Sequence, residues 1–510
     1  MKKQSLIKGT LILGLAGIFA KFLGIFFRWP LQMLIGDEGV GYYQLSYPLY
    51  MFFIAVASGI PIAVSKMVSE RNAQGDSNGS FQVLRKALLL MIIIGGGFSL
   101  AMITCSKQLV SFFKWDQKSI YSLMAISAAP IFISVMSVYR GFFQGLQDMT
   151  PTAISQVLEQ VGRITVGISL VYILLPKGIE YSAAGAAFGA CIGGIIALIY
   201  LFILYNNYKS KMYIKNVKRK DTMDILIKTA VPISIGASVG SIMNLIDSAL
   251  VPMKLYQAGF THKEATILFA QLSGKAAVLI NVPLTLSMAL CYSIVPVIAE
   301  SFVLNRKNSV EALVSSSIKL SSCIAFPAFL GLYIFSQQVL SFIFRGQNSG
   351  AEILKYLSVS IPFLILTQST TAVLQAIGRF KEPVFNLLIG CIVKVFLVLY
   401  LVKIPEMNIY GAVIGTIFAY IITMILNFIT LYKNLRIKLD LNQIIIKPML
   451  ASSVMILFVE FIYLNVYNYT KSNDISLGLT VMAGIIIYTF LIIILRVFSY
   501  RDIKGRIKRR

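Results

Sequence analysis

The sequence predicts an all-α, polytopic membrane protein. Hydrophobic residues make up 57% of the 510 residues and the mean hydropathy is +0.78, which is typical of bilayer-embedded chains and too apolar for a soluble domain. About fourteen apolar segments of roughly 20 residues are long enough to cross the membrane as helices. The eighth is overlong and holds Pro283 and Pro296, which predicts a kink or a tilt. The approximate ranges are 9–35, 40–65, 87–105, 119–140, 152–174, 183–205, 225–250, 268–299, 313–335, 353–376, 384–402, 409–432, 448–467 and 476–497.

Basic residues are distributed unevenly between the loops on the two sides of the membrane. With both termini in the cytoplasm, the inner loops and tails hold about 30 of the 46 Lys and Arg residues and the outer loops about 9. The positive-inside rule therefore predicts a multi-pass plasma-membrane protein with cytoplasmic termini. Topology and contact with anionic lipids explain the net charge of +25, so no nucleic-acid partner is predicted.

An internal repeat divides the chain into two halves. The stretch "APIFISVMSVYRGFFQGLQDMTPTAISQVLEQVGRI" matches "SIPFLILTQSTTAVLQAIGRFKEPVFNLLIGCIVKV", and Gln144 precedes Arg163 by the same spacing as Gln375 precedes Lys394. Later GxxxG pairs also correspond, and they predict close helix packing. The predicted parts are an N-lobe of six helices at 1–208, a basic cytoplasmic linker at 209–224, a C-lobe of six helices at 225–435, and two further helices with a basic cytoplasmic tail at 436–510.

The first apolar segment carries two cations, Lys21 and Arg28. On a helix they share one narrow stripe with small and polar residues, among them Gly24 and Gln32, while the remaining surface is aliphatic and aromatic. A charge facing lipid near the bilayer centre costs at least about 2.5–3.5 kcal/mol, so the stripe is expected to face protein or water. This helix is predicted to form one wall of a pathway for an anion.

The seventh segment is the repeat partner of the first. It places Asn244, Asp247 and Lys254 on one helical stripe, and these residues are candidates for coupling or gating. The alternative is that Asp247 and Lys254 form a structural salt bridge at the outer membrane edge.

Three further cations lie within apolar segments. Arg163 follows Glu159 by four residues, so the two can pair on one helix face; a purely structural ion pair is the alternative to a role in coupling and binding. Lys394 holds the equivalent position in the second half without an acid four residues earlier, which favours a ligand-facing site. Lys275 precedes Pro283 and is the remaining candidate for binding an anionic head group.

The sequence lacks the motifs of several other classes of protein. Gly95-Gly96-Gly97 has no GxxxxGK[ST] around it, five cysteines form no CxxC pair, and one histidine offers no metal or acid–base centre. Neither an enzyme nor an ATP-driven pump is predicted, and no cofactor is expected; Na+ or H+ as a coupling ion is left open.

Several motifs resemble a known family. They are "KGTLILGLAGIFAKFLGIFFR", "LIGDEGVGYYQLSYPLY", "GIPIAVSKMVSE", "YRGFFQGLQDMTPTAISQVLEQVGRI", "LPKGIEYSAAGAAFG" and "LQAIGRFKEP". Together they resemble the stage V sporulation protein B branch of polysaccharide-biosynthesis exporters, which is related to MurJ-type lipid II flippases of the multidrug/oligosaccharidyl-lipid/polysaccharide (MOP) exporter superfamily. The resemblance implies two lobes in a V-shaped arrangement, alternating access, and a polyprenyl-diphosphate-linked saccharide moved to the outer leaflet.

The resemblance also assigns roles to residues. Lys21 and Arg28 match the basic pair of the first helix, Lys275 roughly matches the basic residue of the eighth, and the last two helices match the pair that forms a lipid-tail groove. Lipid II flippases carry another arginine in the second helix, but the range 50–63 has no cation here. The expected partners are the lipid-linked saccharide and cell-wall synthesis proteins, with a monomeric transporter. The rivals are a Na+- or H+-coupled multidrug exporter, a membrane enzyme and a non-transporting scaffold.

Overall fold

The computed structural model describes residues 6–210, 222–437 and 440–497, and within these ranges every regular element is a helix. Side chains at 6–11, 18, 21, 22, 25, 290, 292 and 293 are outside the described part. A helix satisfies its own backbone hydrogen bonds, which lipid cannot do, so the apolar segments fold in this form.

The contacts divide the chain into two compact units, Met1–Ala270 and Gln271–Arg510. In the first unit the described helices are α1 (Leu6–Ala57), α2 (Gly59–Ala73), α3 (Ser77–Thr104), α4 (Ser106–Phe112), α5 (Ser119–Ser127), α6 (Ala129–Gly145), α7 (Thr150–Leu174), α8 (Ile179–Lys209), α9 (Thr222–Gln257) and α10 (His262–Phe269).

The second unit is described over Gln271–Ile437 and 440–497. Its helices are α11 (Ala277–Val303), α12 (Lys307–Ile334), α13 (Ser336–Ile343), α14 (Ala351–Ser358), α15 (Ser360–Ala376), α16 (Lys381–Leu401), α17 (Tyr410–Leu435), α18 (Lys447–Thr470) and α19 (Asn473–Ile494).

The predicted all-α, polytopic class is confirmed. Among the described residues, twelve helices are long and apolar enough to cross a membrane, or thirteen if α14 and α15, bent by 46°, form one span. The first two predicted segments appear as one candidate span, Phe26–Ala73, so the number is close to the fourteen predicted. Within α1 the helical backbone is interrupted at Gly36, whose φ of 61° lies in a region that favours glycine.

The kink or tilt expected from Pro283 and Pro296 stays a prediction, and a separate irregularity precedes these prolines. A π-helical stretch covers Ala270–Ala276, and α11 then continues through Pro283 and Pro296. A π turn inserts one residue into the helical repeat, and such turns are frequent at functional sites.

Helix α9 packs within the first unit, although the repeat assigns its sequence to the second half of the chain. The Gly59 amide donates to Ser234 Oγ at 3.3 Å, and Trp115 Nε1 donates to the Ser248 carbonyl at 2.7 Å. The sequence repeat predicts that a linker at 209–224 separates an N-lobe from a C-lobe, and this division stays a prediction. Residues 211–221 of the linker lie outside the described residues.

Close packing at the GxxxG glycines is confirmed. A Cβ at Gly189 would lie 2.7 Å from the Arg163 carbonyl oxygen, and a Cβ at Gly415 would lie 3.5 Å from the Lys394 carbonyl oxygen. In both units, therefore, the helix that carries the buried cation is in backbone contact with a glycine of the following helix. This shared geometry fixes the position of each cation along its helix.

One stability prediction follows from this contact. A Cβ at Gly193 would overlap the Glu159 carbonyl oxygen and lie 3.0 Å from the Arg163 amide nitrogen. We expect Gly193→Ala to lower the free energy of unfolding by about 1–3 kcal/mol, because α7 and α8 must move apart. Gly97→Ala on α3 is the control, since nothing lies within 4 Å of its Cβ position. Equal melting temperatures of the two purified variants in detergent would contradict the expectation.

Candidate functional site

The chain reverses direction at Gly36 and brings two parts of α1 together. A straight helix would separate residues 27 and 43 by about 24 Å. Instead, the ring centroids of Phe27 and Tyr43 are 6.3 Å apart. Tyr43 and Tyr47 are one helical turn apart and their rings are stacked at 5.3 Å, so both hydroxyls are presented on the same face.

Arg163 of α7 binds these two tyrosines. Its Nη1 donates to Tyr47 Oη at 3.2 Å and its Nη2 donates to Tyr43 Oη. The guanidinium carbon also lies 5.0 Å from the Tyr47 ring centroid and 5.6 Å from that of Phe27, within cation–π range. Nε of Arg163 is buried without a hydrogen-bond partner among the described residues. The guanidinium is therefore held in place with donor capacity remaining.

Arg28 belongs to the same cluster. It is half-buried and interacts electrostatically with Tyr43, Tyr47 and Arg163. Two like charges are thus held near each other around a pair of hydroxyl groups. Arg163 lies about 20 Å along α7 from Thr150 and about 17 Å from Leu174, which is near the middle of that span.

The predicted pairing of Glu159 with Arg163 is wrong. Glu159 Oε2 instead accepts a hydrogen bond from Arg140 Nη2 at 2.9 Å, and Arg140 Nε donates to Ser155 Oγ at 2.8 Å. Both charged side chains of this ion pair are largely buried, at 15% and 18% exposure. Because Arg140 neutralises Glu159, Arg163 keeps its positive charge.

An excess of positive charge at mid-span suits a bound anion. Guanidinium groups make bidentate, charge-assisted hydrogen bonds to phosphate and carboxylate oxygens. The tyrosine hydroxyls add neutral donors beside them. Lys21 was predicted to lie on the same stripe as Arg28; its backbone is helical, but its side chain lies outside the described residues.

Lys275 is bound within the second unit. It lies on the π turn and is 0% exposed; its Nζ donates to Ser349 Oγ at 2.6 Å and to the Ser349 carbonyl at 3.2 Å. Nζ is also 5.6 Å from the Phe344 ring centroid. Lys275 thus ties the connection between α13 and α14 to the π turn, and its binding of a head group stays a prediction.

This contact gives a second stability prediction. We expect Ser349→Ala to lower the free energy of unfolding by about 1.5–3 kcal/mol, because a buried ammonium loses a charge-assisted hydrogen bond. Ser453→Ala is the control, since that hydroxyl donates only along its own helix to the Met449 carbonyl at 3.0 Å. Thermal unfolding in detergent gives the melting temperature of each variant. Equal melting temperatures for Ser349→Ala and Ser453→Ala would contradict a stabilising role of the Lys275–Ser349 bond.

Lys394 is buried on α16, at 2% exposure. About 12 Å along the same helix, Asn386 Nδ2 donates to Asn427 Oδ1 at 2.9 Å, and Asn427 Nδ2 donates to Thr371 Oγ1 at 3.0 Å. These bonds cross-link α15, α16 and α17. A ligand-binding role for Lys394 stays a prediction.

The residues predicted on α9 are not joined to one another. Lys254 Nζ donates to Gln257 Oε1 at 2.8 Å, so the alternative of an Asp247–Lys254 salt bridge is wrong. Asn244 is exposed and Asp247 is half-buried. Coupling or gating by these residues stays a prediction.

Sequence reasoning missed Arg140, Tyr43 and Tyr47. Arg140 stands at the end of a predicted segment, where a cation is usually attributed to the interface. The tyrosines lie one helical turn apart in the second segment, where no charged residue of the sequence marks them as part of a site. The four-residue spacing of Tyr43 and Tyr47 was the signal that could have identified them.

The fold defines a class: an all-helical, multi-pass membrane protein whose fold is shared with solved membrane transporters. Lipid II flippase MurJ in an inward closed conformation matches with a TM-score of 0.74 at 15% identity, covering 95% of this chain and 99% of that chain. An inward-facing multidrug resistance MATE family transporter of the MOP superfamily matches with a TM-score of 0.70 at 16% identity, covering 82% of this chain and 94% of that chain. At such identities the likeness shows the fold.

The chain belongs to the polysaccharide biosynthesis protein family, whose pattern matches residues 6–302. It is 28% identical to stage V sporulation protein B of Bacillus subtilis (strain 168), over 99% of this chain and 98% of that protein. It is also 28% identical to lipid II flippase MurJ of the same organism, over 84% of this chain and 83% of that protein. The predicted similarity to stage V sporulation protein B and to MurJ is confirmed, and the chain is a multi-pass membrane protein of this family.

Proposed function

We propose that the protein is a flippase that moves a polyprenyl-diphosphate-linked cell-wall saccharide, lipid II or a related precursor, from the inner to the outer leaflet by alternating access. The observation that carries this proposal is the coupled pair of Arg28 and Arg163 beside two tyrosine hydroxyls, with the nearby Glu159 neutralised by Arg140. Similarity to lipid II flippase MurJ supports the same class of cargo.

A diphosphate fits the chemistry of this cluster. It carries two or more negative charges and several acceptor oxygens, which match two guanidinium groups and two hydroxyl donors. A cationic drug would be repelled by the same charges. The membrane potential also supplies a driving force, because an inside-negative potential favours outward movement of an anion by about 2.3 kcal/mol per charge per 100 mV.

The test is to identify the cargo. Depleting the protein in its own organism is expected to cause a lipid-linked saccharide to accumulate on the inner leaflet, where its head group stays inaccessible to an outside probe. In vesicles, the purified protein should move a polyprenyl-diphosphate saccharide and not a cationic dye. Transport of the dye driven by a Na+ or H+ gradient, with no movement of the lipid, would favour the multidrug exporter instead.

The setting of this activity is part of the proposal. We place the protein in the plasma membrane with both termini in the cytoplasm, acting as a monomer beside anionic lipids and cell-wall synthesis proteins. The distribution of basic residues supports the orientation. Cysteine labelling from outside intact cells at positions such as 403 and 471, which this topology places outside, checks it.

A further inference from the structure

A cavity of about 620 Å³ opens in the first unit, away from the arginine cluster. The segment between α3 and the start of α5 supplies most of its lining, including Lys107, Lys114, Trp115 and Lys118. Glu180 from the start of α8 and His262 from the start of α10 complete it. Sites for small ligands commonly measure about 300–1,000 Å³, so the cavity is large enough for a phosphorylated head group.

The floor of the cavity is fixed by contacts between separate helices. Trp115 is 2% exposed, and its Nε1 donates to the Ser248 carbonyl of α9 at 2.7 Å. His262 Nδ1 donates to the Lys114 carbonyl at 2.9 Å, and its ring is stacked on Tyr256 at 4.2 Å. The lysine-bearing segment is therefore held against α9 and α10 before any ligand binds, which lowers the cost of ordering a site.

The cavity has more positive than negative charge. Lys118 lies 3.6 Å from Glu180, the one acid in the lining. The ammonium groups of Lys107 and Lys114 are exposed and have no hydrogen bond or ion pair in the described part of the chain. Of the neighbouring acids, Glu38 pairs with Lys263 at 2.8 Å, whereas Asp116 accepts the neutral Lys118 amide at 2.9 Å and keeps its charge. A phosphate anion would balance the positive charge that remains in the lining.

The lining elements meet at one end of the first unit. The segment between α3 and α5 and the first turns of α8 and α10 line the cavity, and the predicted topology places these parts of the chain outside the cytoplasm.

We propose that this cavity is a binding site for a phosphate or diphosphate group at the outer membrane surface. Lys107 and Lys114 supply the charge that recognises it, and Lys118 is released from Glu180 to join them. The proposal does not depend on which cargo the transporter carries or on the role of Arg28 and Arg163. The phosphate can belong to a lipid head group or to a soluble ion, and the experiment separates the two.

Tryptophan fluorescence can report binding directly, because the chain has only two tryptophans. In a Trp29→Phe background, Trp115 in the cavity wall is the single tryptophan, and it is excited selectively over the tyrosines. The protein in phosphatidylcholine nanodiscs is titrated with inorganic pyrophosphate against chloride of equal ionic strength, with calorimetry on the same samples. We expect a saturable change with pyrophosphate and none with chloride.

Matched variants test the assignment. K107Q/K114Q should weaken pyrophosphate binding at least about tenfold, since two charge-assisted contacts are lost. K403Q/K471Q removes the same charge from other predicted outer loops and should leave the affinity unchanged. Glu180→Gln should tighten binding, because it frees Lys118. The site is overturned if K107Q/K114Q and K403Q/K471Q weaken pyrophosphate binding equally. It is also overturned if the unsubstituted protein gives no heat of binding with pyrophosphate, or if Glu180→Gln binds pyrophosphate more weakly.

Nanodiscs of equal parts phosphatidylcholine and phosphatidylglycerol identify the source of the phosphate. If the anionic lipid occupies the cavity, the control variant K403Q/K471Q binds pyrophosphate with lower apparent affinity in the mixed nanodiscs than in phosphatidylcholine alone. K107Q/K114Q, which lacks the lysines of the site, shows no such difference between the two lipid mixtures. If the affinity is the same in both lipid mixtures, the site takes soluble phosphate. Transport of the lipid-linked saccharide by K107Q/K114Q is measured in parallel, so that failure of this site and failure of the proposed cargo are distinguished.

Discussion

Substituting Arg163 by methionine is expected to reduce transport of a diphosphate-linked lipid at least about tenfold, since each charge-assisted hydrogen bond is worth about 1.5–3 kcal/mol. Arg28→Met should have an effect of the same size, because Arg28 adds its charge to the cluster in which Arg163 binds Tyr43 and Tyr47. Initial rates of lipid movement in vesicles of the purified variants measure the loss.

A loss of transport must be separated from a loss of folded protein, because Arg163→Met also removes the hydrogen bonds to Tyr43 and Tyr47. The amount of protein in the membrane and the melting temperature are therefore measured for both variants, and transport is expressed per folded protein. Arg163→Lys separates charge from geometry: lysine keeps the charge but cannot make the paired bonds to Tyr43 and Tyr47, so only part of the rate should return. Lys66→Met, an exposed cation near Glu70, is the control for loss of one charge.

Lys21→Ala tests the sequence-based prediction on the same helix as Arg28. If Lys21 shares the anion-binding wall, its loss should also abolish transport at normal expression. Full activity in Lys21→Ala, together with inactive Arg28→Met and Arg163→Met, would confine the site to the arginine and tyrosine cluster. Full activity in all three would remove the anion-binding interpretation.

The helices and the positions of the cations could be predicted from sequence, because each depends on a local property. A run of apolar residues sets the span, and a cation within such a run requires protein or water around it. The partners of those cations could not be predicted in the same way. Phe27 meets Tyr43 only because the chain reverses at Gly36, and a glycine in an apolar segment gives no unique conformation.

The pairing of Glu159 shows the same limit. The i,i+4 rule correctly states that Glu159 and Arg163 can reach each other, but it considers one helix alone. Arg140, on the preceding helix, offers Glu159 a direct contact at 2.9 Å and is itself oriented by Ser155. The packing of α6 against α7 therefore determines that Glu159 pairs with Arg140 and not with Arg163. This pairing affects the proposed function, because Arg163 keeps its charge for a ligand.

Arg140→Met is expected to inactivate transport, because it changes which arginine pairs with Glu159. Without Arg140, the Glu159 carboxylate is left largely buried and unpaired, which is costly, and Arg163 is the cation one helical turn away. A Glu159–Arg163 pair would neutralise the cluster and compete with the tyrosine hydroxyls for the guanidinium. We expect transport to fall about tenfold, as if Arg163 had lost one charge-assisted contact.

The double variant Arg140→Met/Glu159→Gln distinguishes this indirect effect from a direct role of Arg140. Glutamine cannot neutralise Arg163, so transport should return to near the original rate although Arg140 is absent. Glu159→Gln alone should also be active, since Arg163 keeps its charge and Arg140 keeps Ser155. If the double variant is as inactive as Arg140→Met, then Arg140 itself contacts the cargo, because the charge on Arg163 has been restored while transport has not.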